Sequence, residues 1–115
     1  MPRTGEQPMD LETEVRGDLL VVRVQEERID AAAAIEFKDR MRELVDTPAS
    51  RVLLDLSCVT FLDSSGLGAV VAVMKLLGPD RRLELAALGP VVRKVFRLTR
   101  MDRVFTIHER VSDAL

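Results

Sequence analysis

Val59-Thr60-Phe61-Leu62-Asp63-Ser64-Ser65-Gly66-Leu67-Gly68 is a polar segment set between two apolar runs at mid-chain. An apolar run, Val52-Leu53-Leu54-Asp55-Leu56, leads into it, and a second, Ala69-Val70-Val71-Ala72-Val73-Met74, leaves it. Between them lie a carboxylate, two hydroxyls and two glycines. The pattern is a strand, a tight polar turn and a helix start. Asp63 or Ser64 is the expected N-cap, because a short side-chain oxygen can accept the free amide hydrogens of a first turn. Gly66 is expected to let the backbone turn. A phosphate on either serine would also sit well there, since a helix N-terminus favours negative charge. A partner docked on the same helix would instead meet about −1.5 to −2 added charges beside Asp63. Residue types alone leave both readings open, a plain cap or a switch.

Working outward, Leu11 to Arg16 alternates apolar or β-branched with charged residues and predicts a half-buried strand. Gly17-Asp18 supplies a turn, and Leu19 to Val24 a more buried partner strand in a β-hairpin. Asp30 is placed to cap a helix running to about Val45, with Ala34, Phe37, Met41, Leu44 and Val45 on one face. Pro48 ends it. The helix after the central turn reaches Leu77 and carries few charges besides Lys75, so it is buried or offers an apolar face to a partner. Arg82 to Leu88 predicts a strand, Pro90 opens a third helix, and Val104 to Ile107 predicts a last strand. Helices alternating with strands demand crossovers and therefore parallel neighbours.

The chain has 115 residues, the size of one domain. Residues 1–8 are expected to be a disordered leader, with the folded domain over 9–115 and Met9 a possible alternative start. A net charge of −2 gives no nucleic-acid footprint, and four Phe with no Trp or Tyr give no stacking platform. No apolar run is long enough to span a bilayer, and the first residues are no signal peptide. Cys58 is the single cysteine, which suits a reducing cytosol, and its apolar neighbours predict a buried, inert thiol. The domain is read as cytoplasmic.

Enzyme signatures are missing. Gly66-Leu67-Gly68 lacks the third glycine of a dinucleotide fingerprint, and Lys75 lies too far along to serve a phosphate-binding loop. The serines are not in a nucleophile elbow. The one histidine, His108, reads as a surface residue, and a lone histidine and cysteine build no expected metal site. No catalysis and no cofactor are expected.

Leu62-Asp63-Ser64-Ser65-Gly66-Leu67-Gly68 closely resembles the signature of STAS domains, and most of all the stand-alone bacterial anti-sigma factor antagonists. Arg28-Ile29-Asp30-Ala31-Ala32, Val52 to Ser57, Leu88 to Phe96 and Met101 to Phe105 extend the resemblance from Leu11 to Leu115. It implies an α/β fold with a mixed, mostly parallel sheet of about five strands and about four helices. It implies an unphosphorylated form that binds an anti-sigma factor serine kinase and so frees a sigma factor. Phosphorylation maps onto Ser64, and a PP2C-type serine phosphatase would reverse it. Asp30, Asp63, Ser65, Gly66, Leu67 and Gly68 would shape the acceptor turn and the partner surface. Glu27 departs from the family pattern, which usually has glycine three residues before the aspartate corresponding to Asp30. The alternatives are a non-switching STAS interaction subunit, as in a lipid-transport ATPase, or a partner switch outside transcription.

Overall fold

The computed structural model describes residues 9–115, so the expected leader at 1–8 lies outside the described residues. Strands β1 (Leu11–Arg16) and β2 (Leu19–Val24) form the hairpin, with Gly17 at positive φ in the turn. The chain continues through β3 (Arg28–Ile29), α1 (Ala31–Leu44), β4 (Arg51–Asp55), β5 (Phe61–Leu62) and α2 (Ser64–Leu77). It ends with β6 (Arg82–Ala86), α3 (Pro90–Leu98) and β7 (Thr106–His108), followed by a short 3₁₀ turn at Val111–Asp113. A second 3₁₀ turn, Met101–Arg103, links α3 to β7.

The main sheet has five strands in the order β1-β2-β4-β6-β7. Among the described residues only the hairpin pair is antiparallel; Leu20 pairs with Val52, Val52 with Leu83 and Leu85 with Ile107 in parallel ladders. Among the described residues there are three α-helices rather than about four, because the two remaining helical segments are single 3₁₀ turns of three residues.

Strand alternation divides the sheet into two faces. Val22, Val24, Val52, Leu54 and Leu85 point into the main core, where they meet Phe37 and Met41 of α1, Val70 and Val73 of α2, and Phe96 of α3. Fully burying side chains of this size stabilises the fold by roughly 1.5–3 kcal/mol each, so this layer dominates the energetics. Phe96 and Phe105 meet edge to face, with ring centroids 6.0 Å apart. The opposite face holds a smaller cluster of Leu19, Val21, Leu53 and Ala86, covered by Ala114 and Val111.

β1 departs from the half-buried strand expected of it. As an edge strand it has only Leu11 partly buried, and Val15 is 69% exposed. The last strand also sits later than its apolar residues suggest: Val104 and Phe105 close the 3₁₀ turn, and pairing with β6 begins at Thr106. Among the described residues no helix is long and apolar enough to cross a membrane.

Candidate functional site at two adjacent helix starts

β3 and β5 form a two-residue parallel ladder apart from the main sheet, pairing Arg28 with Phe61 and Ile29 with Leu62. The ladder is anchored at Glu27, whose carbonyl oxygen accepts the amides of Thr60 (2.8 Å) and Phe61 (3.1 Å) and the Thr60 hydroxyl (3.2 Å). Glu27 occupies its place without a positive φ, so no glycine is needed there.

The residues next in register are Asp30 and Asp63, and both are N-caps. Their backbones are nearly identical, at φ −102° and ψ −172° for Asp30 and φ −100° and ψ −171° for Asp63. Asp30 Oδ1 accepts the Ala33 amide at 3.1 Å, and Asp63 Oδ1 accepts the Gly66 amide at 3.0 Å. Two helices thus start from neighbouring strands at one rim of the fold. Of the two cap candidates in the central turn, Asp63 takes the role, which leaves the Ser64 hydroxyl spare.

Gly66 is needed for a different reason from the one its position suggests. A Cβ built there would lie 2.0 Å from the Ile29 carbonyl oxygen. The first turn of α2 therefore rests directly on the β3 backbone, and Ile29 is wholly buried beneath it. Gly68 has no such neighbour: nothing lies within 4 Å of a Cβ there. It leaves bare backbone on the exposed side of α2.

Ser64 and Ser65 are the first two residues of α2, and both are exposed. Among the described residues, neither hydroxyl hydrogen-bonds to a protein group. Leu67 is half-buried against the core, while Val71, Ala72 and Met74 remain partly exposed along the helix. The rim carries one cation of note. The Arg28 guanidinium lies 4.1 Å from the Phe61 ring centroid, and its Nε is 3.6 Å from Asp30 Oδ2. The Ala33 amide hydrogen bond holds the Asp30 carboxyl below the usual range; partial desolvation opposes this and Arg28 assists it. The structure brings Asp30, Asp63, Ser64, Ser65 and Gly66 to this rim and extends Leu67 and Gly68 along α2.

Cys58, expected to be buried, is exposed in the turn between β4 and β5. His108 is not a free surface residue, because its Nε2 lies 2.7 Å from Glu84 Oε1. Glu84 is buried in β6 and also accepts two hydrogen bonds from Arg51, at 2.7 and 2.9 Å. Arg51 in turn donates to the Ala114 carbonyl at 3.0 Å. The Arg51 hydrogen bonds hold Glu84 at about 2, against desolvation and with help from His108. Buried Asp55 is matched by Arg23, with Nε to Oδ2 at 3.0 Å. Sequence reasoning missed this network. Its one signal was a glutamate within the apolar run Leu83-Glu84-Leu85.

The mixed sheet, with its helices gathered on one face and two capped helix starts on one rim, defines the α/β fold of anti-sigma factor antagonists. The chain belongs to the STAS domain family, whose model matches residues 10–114. It is 30% identical over 87 residues to the anti-sigma-F factor antagonist RsfB of Mycobacterium tuberculosis, a match that covers 76% of this chain and 71% of that one. Its fold is similar to the crystal structure of an anti-sigma factor antagonist from Mycobacterium paratuberculosis, with a TM-score of 0.82 and 28% identity over 92% of this chain and 90% of the other. It is also similar to the phosphorylated form of the Bacillus cell fate determinant SpoIIAA, with a TM-score of 0.67. That match covers 91% of this chain and 96% of the other, and its 22% identity speaks to the fold alone.

Proposed function

We propose that this protein is an anti-sigma factor antagonist controlled by phosphorylation at Ser64. In this reading the unphosphorylated form binds an anti-sigma factor that is also a serine kinase and thereby frees a sigma factor. The kinase phosphorylates Ser64, the complex separates, and a PP2C-type phosphatase restores the binding form.

The observation that carries the reading is the division of labour in the turn. Asp63 alone caps α2, so the Ser64 hydroxyl is exposed and committed to nothing in the fold. A phosphate there meets the positive end of α2, which lets the domain keep its fold. The same phosphate places about −1.5 to −2 charges beside Asp63 and at the head of the apolar outer face of α2. A docked partner would have to desolvate that charge, and binding fails while folding does not. The bare backbone at Gly68 and the partly exposed Leu67 and Val71 give the partner a close, apolar approach next to the acceptor. RsfB, the antagonist that the chain resembles over most of its length, supports the class of partner. The solved phosphorylated form of SpoIIAA supports a fold of this type carrying a phosphate.

Binding of the cognate anti-sigma kinase by calorimetry tests the reading. Ser64→Asp should weaken binding at least about tenfold, or about 1.4 kcal/mol, while Ser64→Ala should bind like the wild type. Equal affinity of Ser64→Asp and wild type would overturn it.

A further inference from the structure

We propose that the outer face of α3 and the turn after it form a second docking surface, one that takes an acidic amphipathic segment of a protein partner. Val92 and Phe96 turn α3 toward the core. On the outside, Val91 is 53% exposed, Leu98 69% and Val104 49%. Val91 and Leu98 stand seven residues apart and so share one stripe, with Lys94 beside them and Arg93 and Arg97 in the adjoining row. Arg100 and Arg103 continue the positive charge through the turn, where Asp102 is the one acid between residues 93 and 103. All five cations are exposed, and among the described residues none of them makes an ion pair.

The fold does not account for all of these charges. Arg93 and Lys94 stand just past the first turn of α3, clear of the C-terminal end where the helix dipole favours cations, and the first turn holds no acid to offset them. Arg93 and Arg97 repel each other at i,i+4 spacing. Arg100 adopts the left-handed conformation, φ 62° and ψ 18°, just past the helix, where glycine is the usual residue. Arg97 suits the dipole in the last turn of α3, but a run of five unpaired cations around exposed aliphatic side chains goes beyond what the helix needs, and it matches a ligand that brings carboxylates and an apolar stripe together.

The rest of the molecule narrows the class. The chain as a whole is net negative, which repels an extended polyanion such as DNA. There is no Trp or Tyr, Phe37, Phe96 and Phe105 are buried, and the half-buried Phe61 lies under the Arg28 guanidinium, so residues 91–104 expose no aromatic anchor of a membrane-binding helix. A compact acidic helix fits both the charge and the aliphatic stripe. The surface lies outside the Ser64 turn, although α3 packs against β5, the strand that leads into it.

The test is an NMR titration of the isotope-labelled protein, at low salt, with a synthetic helical peptide of roughly 14 residues, about four turns. Its leucines recur at alternating third and fourth positions among glutamates. Saturable shifts should concentrate on residues 91–104. Leu98→Ser and the double variant Arg93→Gln/Arg97→Gln should each weaken binding at least about fivefold, as should raising salt to about 0.5 M. Arg100→Gly should weaken binding while thermal stability holds or rises, which loss of a merely structural residue would not do. Ser64→Asp should leave peptide affinity unchanged, which separates this surface from the phosphorylation switch. Shifts absent from α3, equal binding of a lysine-for-glutamate peptide, or tighter binding to phosphatidylserine vesicles or duplex DNA would each overturn the proposal.

Discussion

The α-carbon of Gly66 faces the carbonyl oxygen of Ile29 so closely that a β-carbon would stand 2.0 Å from it. That contact locks the start of α2 onto β3 and fixes where Ser64 emerges. The obstacle is backbone, buried and held by the β3–β5 ladder, so it cannot swing aside as a flexible side chain would. Gly66→Ala should therefore destabilise the domain by about 3 kcal/mol or more, in the range of severe overpacking. Gly68→Ala, in open space within the same helix, should instead stabilise it by up to about 1 kcal/mol. Urea unfolding of the two variants checks this, and equal effects would contradict the packing described.

The paired caps make a second prediction. Asp63→Ala should cost about 1 kcal/mol, and Asp30→Ala about the same. Asp30→Asn should keep most of the cap, since asparagine serves equally well. The carboxyl of Asp30 is held low in the fold, so its charge stabilises the protein above its unfolded value and that contribution is lost as pH falls through the folded one. The acid side of a stability profile should flatten in Asp30→Asn relative to wild type. Thermal melts from pH 7 to pH 3 measure it.

Glu84 makes a third. Its carboxyl is pushed down from 4.5 to about 2, so the stabilisation it provides is complete above the ordinary value and disappears between the two. Acid unfolding should gain a component in that window, and Glu84→Gln should remove it. Glu84→Ala strands Arg51 and releases His108, and should cost about 3 kcal/mol, the lower end for a broken buried pair because Arg51 keeps some contact with water. An unchanged acid transition in Glu84→Gln would refute the network's role.

Much of this was legible in the residues because it is periodic. The hairpin followed from alternation around Gly17, and the helices from apolar residues at three- and four-residue spacing over Phe37 and Met41 or Val70 and Val73. The order of strands and helices then required a parallel sheet. The β3–β5 ladder was not legible, since two residues on each strand carry no period. The need for Gly66 was visible but its cause was not: the Ile29 carbonyl is distant in sequence, and only the fold brings it there. Cys58 was misjudged because apolar neighbours on a strand bury a residue, whereas neighbours in a turn do not. The Arg51–Glu84–His108 cluster spans three strands and depends on register, which no single segment reveals. Ser64 and Ser65 could be singled out, but only the observed cap showed which side chain the helix uses.

The switch proposed for this domain turns on one hydroxyl, that of Ser64. Incubating the protein with its cognate anti-sigma kinase and ATP, followed by intact-mass measurement and peptide mapping, tests it most directly. A single phosphate is expected on Ser64, with none added in Ser64→Ala. A phosphate on Ser65, or no phosphate at all, would contradict it.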